Sequence, residues 1–327
     1  MGRDGPVRRY RTLLIAGAGR SGSTIFELML DQVPGLVAIG ELTELWGAGL
    51  CRDERCGCGK PFHACPFWVE VGESAFGGWG RVDGERMRAL HDGVARNRHL
   101  PLLLAARALP SVSRRADEYA ANVARVLDAV ATVSGCEVVV DASKWPSHAM
   151  ILRRIDGLDL RMAQLVRDPR GVAHSWAREL DRPHAAGSRS EADMPQMRRD
   201  PVARSAAHWT AINLGIELVA ALGVPRRLVR YEDLVASPLE TLAGVLAFAG
   251  RAATEDDLGY VTGTTVKLRA GHGIAGNPAR FSHGVIELRA ADDWRQELTA
   301  GRRLVIDAIT LPARAPHRLR RARRAPR

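Results

Sequence analysis

Lysine is nearly missing from this chain: Lys60, Lys144 and Lys267 stand against 44 arginines in 327 residues. Wherever positive charge alone is needed the chain uses arginine. Each lysine is therefore a choice for a compact point charge on a flexible stem. Long apolar runs are missing too. No stretch approaches the ~18 residues that would read as a membrane span. The charged segment 1–11 leads into only six apolar or small residues, 13–18, before glycine and arginine return. That is too short for a secretory leader, so the expectation is an intracellular, cytoplasmic protein. An acidic balance is absent as well. The formal charge is +10, but seven arginines lie between Arg314 and Arg327, and without them it is about +3. Residues 311–327 read as a disordered, solvated basic tail. The rest has an ordinary charge for an enzyme that handles an anionic ligand, and no nucleic-acid partner is expected.

Hydrophobic residues make up 46% of the chain, enough for a sizeable core. Short apolar runs alternate with helical patterns: strands over 13–16, 137–141, 160–166 and 227–231, and helices over 24–30, 146–155, 169–180, 202–222, 238–249 and 297–309. Residues 84–134 read as mostly helical, with 114–133 the longest stretch. Residues 47–80 and 262–293 read as irregular. Such alternation predicts an α/β fold, a parallel sheet flanked by helices on both faces. Ligands of such sheets sit beyond the carboxyl ends of the strands. The organisation expected is one domain over 1–310, with a Cys-rich and helical insertion at 47–134 and a mobile loop at 181–200.

The first anion site is the turn from Gly17 to Thr24, which follows a strand and opens a helix. Glycines five apart followed by hydroxyls give the spacing of a nucleotide P-loop. There, inward-turned N–H groups and the helix N-terminus favour an anion. Ser23 occupies the place of the usual lysine, and the cation has moved to Arg20. Gly19, Arg20, Ser21, Gly22, Ser23 and Thr24 are thus suited to a single 5′-phosphate carrying one further group. They are poorly suited to a magnesium triphosphate.

A second anion site is read at Arg167, at a strand end, with Ser175 two turns into the next helix. Arg167 can fork onto a phosphate. Separate 5′- and 3′-phosphate pockets are what 3′-phosphoadenosine-5′-phosphosulfate requires.

The segment Arg20-Ser21-Gly22-Ser23-Thr24 together with Arg167 and Ser175 resembles the family of sulfotransferases that use this donor. It is closest to the bacterial branch that shares features with tyrosylprotein and carbohydrate sulfotransferases. Asp141 to Pro146, Val229 to Leu234 and Gly271 to Phe281 follow in the family's order. The resemblance runs from about residue 11 to about 310. It implies a P-loop-NTPase-like fold, 3′-phosphoadenosine-5′-phosphosulfate as co-substrate with no metal required, and a hydroxyl-bearing acceptor such as a small molecule, a carbohydrate or a tyrosine-like phenol. In the resembling tyrosylprotein enzymes a glutamate just after a corresponding glycine is the proposed base, which points to Glu41; Glu44, His148 and His272 are alternatives. Sulfuryl transfer through a loose, in-line transition state needs cations at the leaving oxygen, for which Arg20 and Lys144 are the candidates. Tyr231 is a candidate nucleotide contact or a core tyrosine. Arg280 lies in the segment resembling the family's late loop over the 3′-phosphate.

Cys51, Cys56, Cys58 and Cys65 fall within fifteen residues and could bind structural zinc. The spacing lacks a CxxC, however, and Cys-x-Cys is awkward for one metal. Similar cysteines in the bacterial branch favour a structural role by disulfide pairing or packing. Cys136 reads as a buried thiol. Three rival readings remain, a P-loop kinase or NTPase, a non-catalytic nucleotide-binding scaffold and, third, a nucleic-acid binder acting through the basic tail.

Overall fold

The computed structural model describes residues 10–177, 200–290 and 292–322. Its centre is a five-stranded parallel sheet in the order β2-β3-β1-β4-β5. The strands are β1 (Arg11–Ala16), β2 (Leu36–Ala38), β3 (Val138–Lys144), β4 (Asp159–Val166) and β5 (Arg226–Arg230). Successive side chains of β1 point to opposite faces. Leu14 and Ala16 enter one core with Val139 and Met162, while Leu13 and Ile15 enter the other with Val138, Val140 and Leu165. Burial on both faces explains why these strands read as continuous apolar runs.

One face is covered by α1 (Ser23–Leu30), which directly follows the glycine turn, and by α10 (Pro238–Phe248). The other carries α2 (Pro66–Phe76), α3 (Gly84–Val94), the short α4 (Leu100–Leu104), α5 (Pro110–Ser134), α6 (Pro146–Leu152) and α8 (Val202–Ala221). The helical segment 66–134 thus shares a core with the sheet. Beyond the strand ends lie α7 (Pro169–Ala177), α9 (Tyr231–Ala236), α11 (Trp294–Glu297) and α12 (Ala300–Ala322). A glycine-rich loop between the central β1 and α1, in a parallel sheet flanked on both faces, is the expected P-loop-like α/β architecture.

Several boundaries differ from expectation for physical reasons. α5 starts at Pro110, whose fixed φ suits a first turn, and stops at Gly135 in the left-handed region. Within 47–80 the chain forms a π-helical turn (Leu45–Cys51) and α2. The i, i+3, i+4, i+7 set Trp68, Val71, Gly72 and Ala75 is buried, a helical face masked by glycine and aromatic content. Within 262–293 lies an antiparallel sheet of β6 (Val261–Thr262), β7 (Thr265–Leu268) and β8 (Gly284–Glu287). Strands this short show no usable periodicity. The loop expected over 181–200 lies, apart from Asp200, outside the described residues.

The disordered tail expected from 311 is corrected over its first part, because α12 continues to Ala322. Thr310 and Ala313 are buried and Arg314 bonds Asp307 at 2.7 Å. Ile306 enters a small core with Ala173, Ala206, Trp294 and Leu298. Among the described residues, no helix is long and apolar enough to cross a membrane. Replacing Ile306→Ala should cost about 2–4 kcal/mol in urea denaturation.

Candidate active site

The turn after β1 is set by close backbone approach. A Cβ on Gly17 would fall 2.3 Å from the Leu165 carbonyl of β4, and one on Gly22 would fall 2.5 Å from the Tyr231 ring. Gly22 has φ 90° and Arg20 has φ 66°, so the loop turns its amides inward ahead of the first turn of α1. Those N–H groups have no partner within the helix. The Arg20 guanidinium lies 5.0 Å from the centre of the Trp176 ring of α7. Its Nε and Nη2, with Ser21 Oγ, are buried without a hydrogen-bond partner, and burial lowers its pKa. Buried donors are normally paired. Their condition here, beside helix amides, fits an anion.

Arg167 follows β4 and donates to the Arg20 carbonyl at 3.0 Å. Its guanidinium stands 4.8 Å over the Tyr231 ring and lies against Gly171 of α7. Ser175, one helical turn beyond Gly171, shares that face and is half-buried. The structure thus brings together Arg20, Arg167, Ser175 and Tyr231 on the β4 side of the loop. Tyr231 begins α9 and braces Gly22, and its hydroxyl donates to the Arg289 carbonyl at 3.3 Å.

On the β3 side, Gly17 N–H donates to the Lys144 carbonyl at 3.1 Å, which fixes Lys144 beside the loop. Lys144 has φ 68° and donates from Nζ to Glu41 Oε1. Glu41 is placed by a backbone ladder beyond β2. Ile39 N–H donates to Val140, Ala142 N–H to Gly40, and Glu41 N–H to Ile274. Gly40 has φ 78°, and a Cβ on it would strike the Ile274 backbone at 2.2 Å. Ser143, anchored by Asp141, accepts from Thr43 N–H at 3.1 Å and holds the turn after Glu41.

Two alternative bases are engaged elsewhere. His148 is fully buried, with Nε2 2.7 Å from Asp141 Oδ2, and His272 faces the cysteines. Glu44 is half-buried, and desolvation followed by the Glu41 charge raises its pKa.

Arg280 is buried. Its Nη2 donates to the Arg55 carbonyl at 2.8 Å, and the neighbouring Gly276 lies against Glu41. Arg280 thus lies beside Glu41 and the Cys-rich segment, on a 3-10 turn (Pro278–Phe281) that packs against α1. The cysteines form no disulfide, which leaves packing of the two structural roles read for them.

Glu27 was not singled out from sequence. It is buried on α1 beneath Gly40 and Gly273, with a Gly40 N–H bond to its carboxylate. Burial pushes its pKa up to about 8, against the opposing pull of Lys144. A neutral Glu27 leaves Lys144 to Glu41. As one polar position on an otherwise apolar helix face, it reads in sequence as an ordinary solvated glutamate.

Residues 13–256 match a family model described as "Sulfotransferase family". No curated protein matches the sequence. Among solved structures, the chain is similar to a sulfotransferase domain from the Synechococcus PCC 7002 olefin synthase, at 23% identity and a TM-score of 0.49, covering 95% of this chain and 97% of that one. It is also similar to a sulfotransferase domain from the curacin biosynthetic pathway, at 17% identity and TM-score 0.49 over 93% and 99%. A third, sulfotransferase STF9 from Mycobacterium avium, shows 12% identity and TM-score 0.41 over 78% and 67%.

Glu27 links stability to pH. In the folded chain it holds its proton to about pH 8, whereas the unfolded value is 4.5. Between these the folded state binds more protons, so stability falls as pH rises. Relative to Glu27→Gln, the parent should lose on the order of a few kcal/mol from pH 5 to pH 9. Denaturation midpoints across that range check this, and parallel curves would show that Glu27 is not protonated at neutral pH.

Proposed function

Because this chain belongs to the sulfotransferase family, we propose that it moves a sulfuryl group from 3′-phosphoadenosine-5′-phosphosulfate to an acceptor hydroxyl. The observation that carries this reading is the set of buried, unpartnered donors on Arg20 and Ser21 in a loop without lysine. When bound, the donor would supply an activated sulfuryl group on a 5′-phosphate that serves as leaving group.

The α1 amides, with Gly19, Arg20, Ser21, Gly22, Ser23 and Thr24, would hold the 5′-phosphate. Arg167 and Ser175 would receive the 3′-phosphate, with Tyr231 keeping Arg167 in place. Glu41 would take the proton of the acceptor hydroxyl as the new oxygen–sulfur bond forms and the bond from sulfur to the phosphate oxygen breaks. On taking up that proton Glu41 loses its charge and its hold on Lys144. Lys144 would then turn its ammonium to the negative charge developing on the departing oxygen, with Arg20 fixed beside it. Arg280, bonded to the Arg55 carbonyl on the turn that packs against α1, would reach the nucleotide from the late loop.

Calorimetry tests the donor. 3′-Phosphoadenosine-5′-phosphate should bind more tightly than ADP or ATP, and Arg167→Ala should weaken it about 10- to 100-fold. Equal or tighter binding of ATP with magnesium would sink the reading in favour of a P-loop kinase. With an acceptor in hand, Glu41→Gln and Lys144→Met should each lower kcat about 100- to 1000-fold while the bisphosphate affinity of Glu41→Gln stays near the parent's. Loss of that affinity would make Glu41 a structural residue instead of the base.

A further inference from the structure

The Cys-rich segment does more than pack. Cys56 Sγ, Cys58 Sγ, Cys65 Sγ and a ring nitrogen of His272 all lie within 4.8 Å of one another. The contacts of Cys65 Sγ with Cys56 and Cys58 are each 3.6 Å. His272 Nδ1 stands 3.7 Å from Cys56 Sγ and 3.4 Å from Cys65 Sγ. A zinc ion with bonds of about 2.3 Å to sulfur and 2.0–2.1 Å to nitrogen sets tetrahedral edges of about 3.8 Å between sulfurs and about 3.6 Å between sulfur and nitrogen. Four of the six edges match those lengths, and the other two lie within 4.8 Å.

Their surroundings are those of a ligand set. Backbone N–H groups of Cys58, Lys60 and Trp68 donate to the sulfurs of Cys56, Cys58 and Cys65 respectively. Such outer bonds orient metal ligands and moderate thiolate charge. The His272 ring stacks on Phe67 at 4.8 Å, and the His272 carbonyl accepts from Trp68 Nε1 at 2.8 Å. Cys56 and Cys65 are fully buried. Gly57, between the first two cysteines, donates to the Gly273 carbonyl at 2.9 Å and leaves no room for a Cβ against Gly271. The Cys-x-Cys turn is thus pressed against the histidine loop. The four ligands do not come from one segment: the fourth is a residue 207 positions beyond Cys65, and Cys51 takes no part.

We propose that Cys56, Cys58, Cys65 and His272 form a structural zinc site. Three thiolates and one imidazole, closed on all four sides, suit tetrahedral zinc and leave no position for water or substrate. Binding would release the thiol protons to solvent and involve no redox change. The ion would clamp residues 51–65 to the loop from Gly271. Ile274, two residues beyond His272, pairs with Gly40 beside Glu41, so the clamp would also hold the wall around Glu41. This inference does not depend on the identity of the sulfuryl donor.

The untagged full-length chain, expressed with zinc in the medium, should carry about one zinc per chain by plasma mass spectrometry. Cys58→Ser and His272→Ala should lower the zinc content of the soluble protein about tenfold or more, whereas Cys51→Ser and Cys136→Ser should keep it. Should the first two variants fail to fold, cobalt exchanged into the parent decides. Intense thiolate-to-cobalt charge transfer and tetrahedral ligand-field bands are expected. A parent that holds less than about a tenth of an equivalent after dialysis against Zn²⁺, iron in place of zinc, or octahedral cobalt would overturn the proposal.

Discussion

The mouth of this site hangs on one backbone ladder. Gly40 lies between Ala142 on β3 and Ile274 from the late loop, with no room for any side chain. That contact extends the parallel sheet past the end of β2 and carries Glu41 to the tip of β3, where Lys144 meets it. It also brings a loop more than two hundred residues away in sequence against the end of the sheet. His272 and Gly276 then follow on either side of Ile274, one toward the cysteines and the other toward Glu41. The Glu41–Lys144 pair and the cysteine cluster are two consequences of one close approach.

The two sides of the glycine turn divide the chemistry. Arg167, Ser175 and Tyr231 gather beyond β4 and β5, where an arginine pinned to the loop and a helix face offer a place for charge. Glu41, Glu27 and Lys144 gather beyond β2 and β3, where carboxyl groups outnumber the cation. Desolvation resolves that imbalance. A buried carboxyl beside another carboxylate costs least when neutral, and Glu27, the more deeply buried, takes that role. Arg20 stands between the two sides, its own carbonyl bound to Arg167 while its guanidinium rests on Trp176.

Much of the scaffold was legible in the sequence because parallel strands buried on both faces give unbroken apolar runs, and a glycine turn between strand and helix has few other uses. Glu41, Lys144 and Arg167 could each be placed at a strand end by the same reasoning. What the sequence hid was non-local. The bond between Lys144 and Glu41 joins residues 103 apart. Arg280, singled out from its neighbours in the chain, bonds the Arg55 carbonyl 225 positions away. Glu27 is one glutamate on a helix until Gly40 and Gly273 close over it. His272 could not be counted with the cysteines because nothing local ties it to them. The basic end looked unstructured by composition, yet the buried Ala313 and the Arg314–Asp307 bond show that helical packing takes in its first residues.

Two of the four non-glycine residues with positive φ among the described residues are Arg20 and Lys144, the cations proposed to act on the leaving oxygen. A left-handed backbone on a long side chain costs about 1 kcal/mol or more. Glycine would relieve both positions and leave the fold more relaxed. Selection for robustness alone would therefore erode the two charges at the centre of the site. The strain at both positions is the stability cost that the roles proposed for Arg20 and Lys144 would carry.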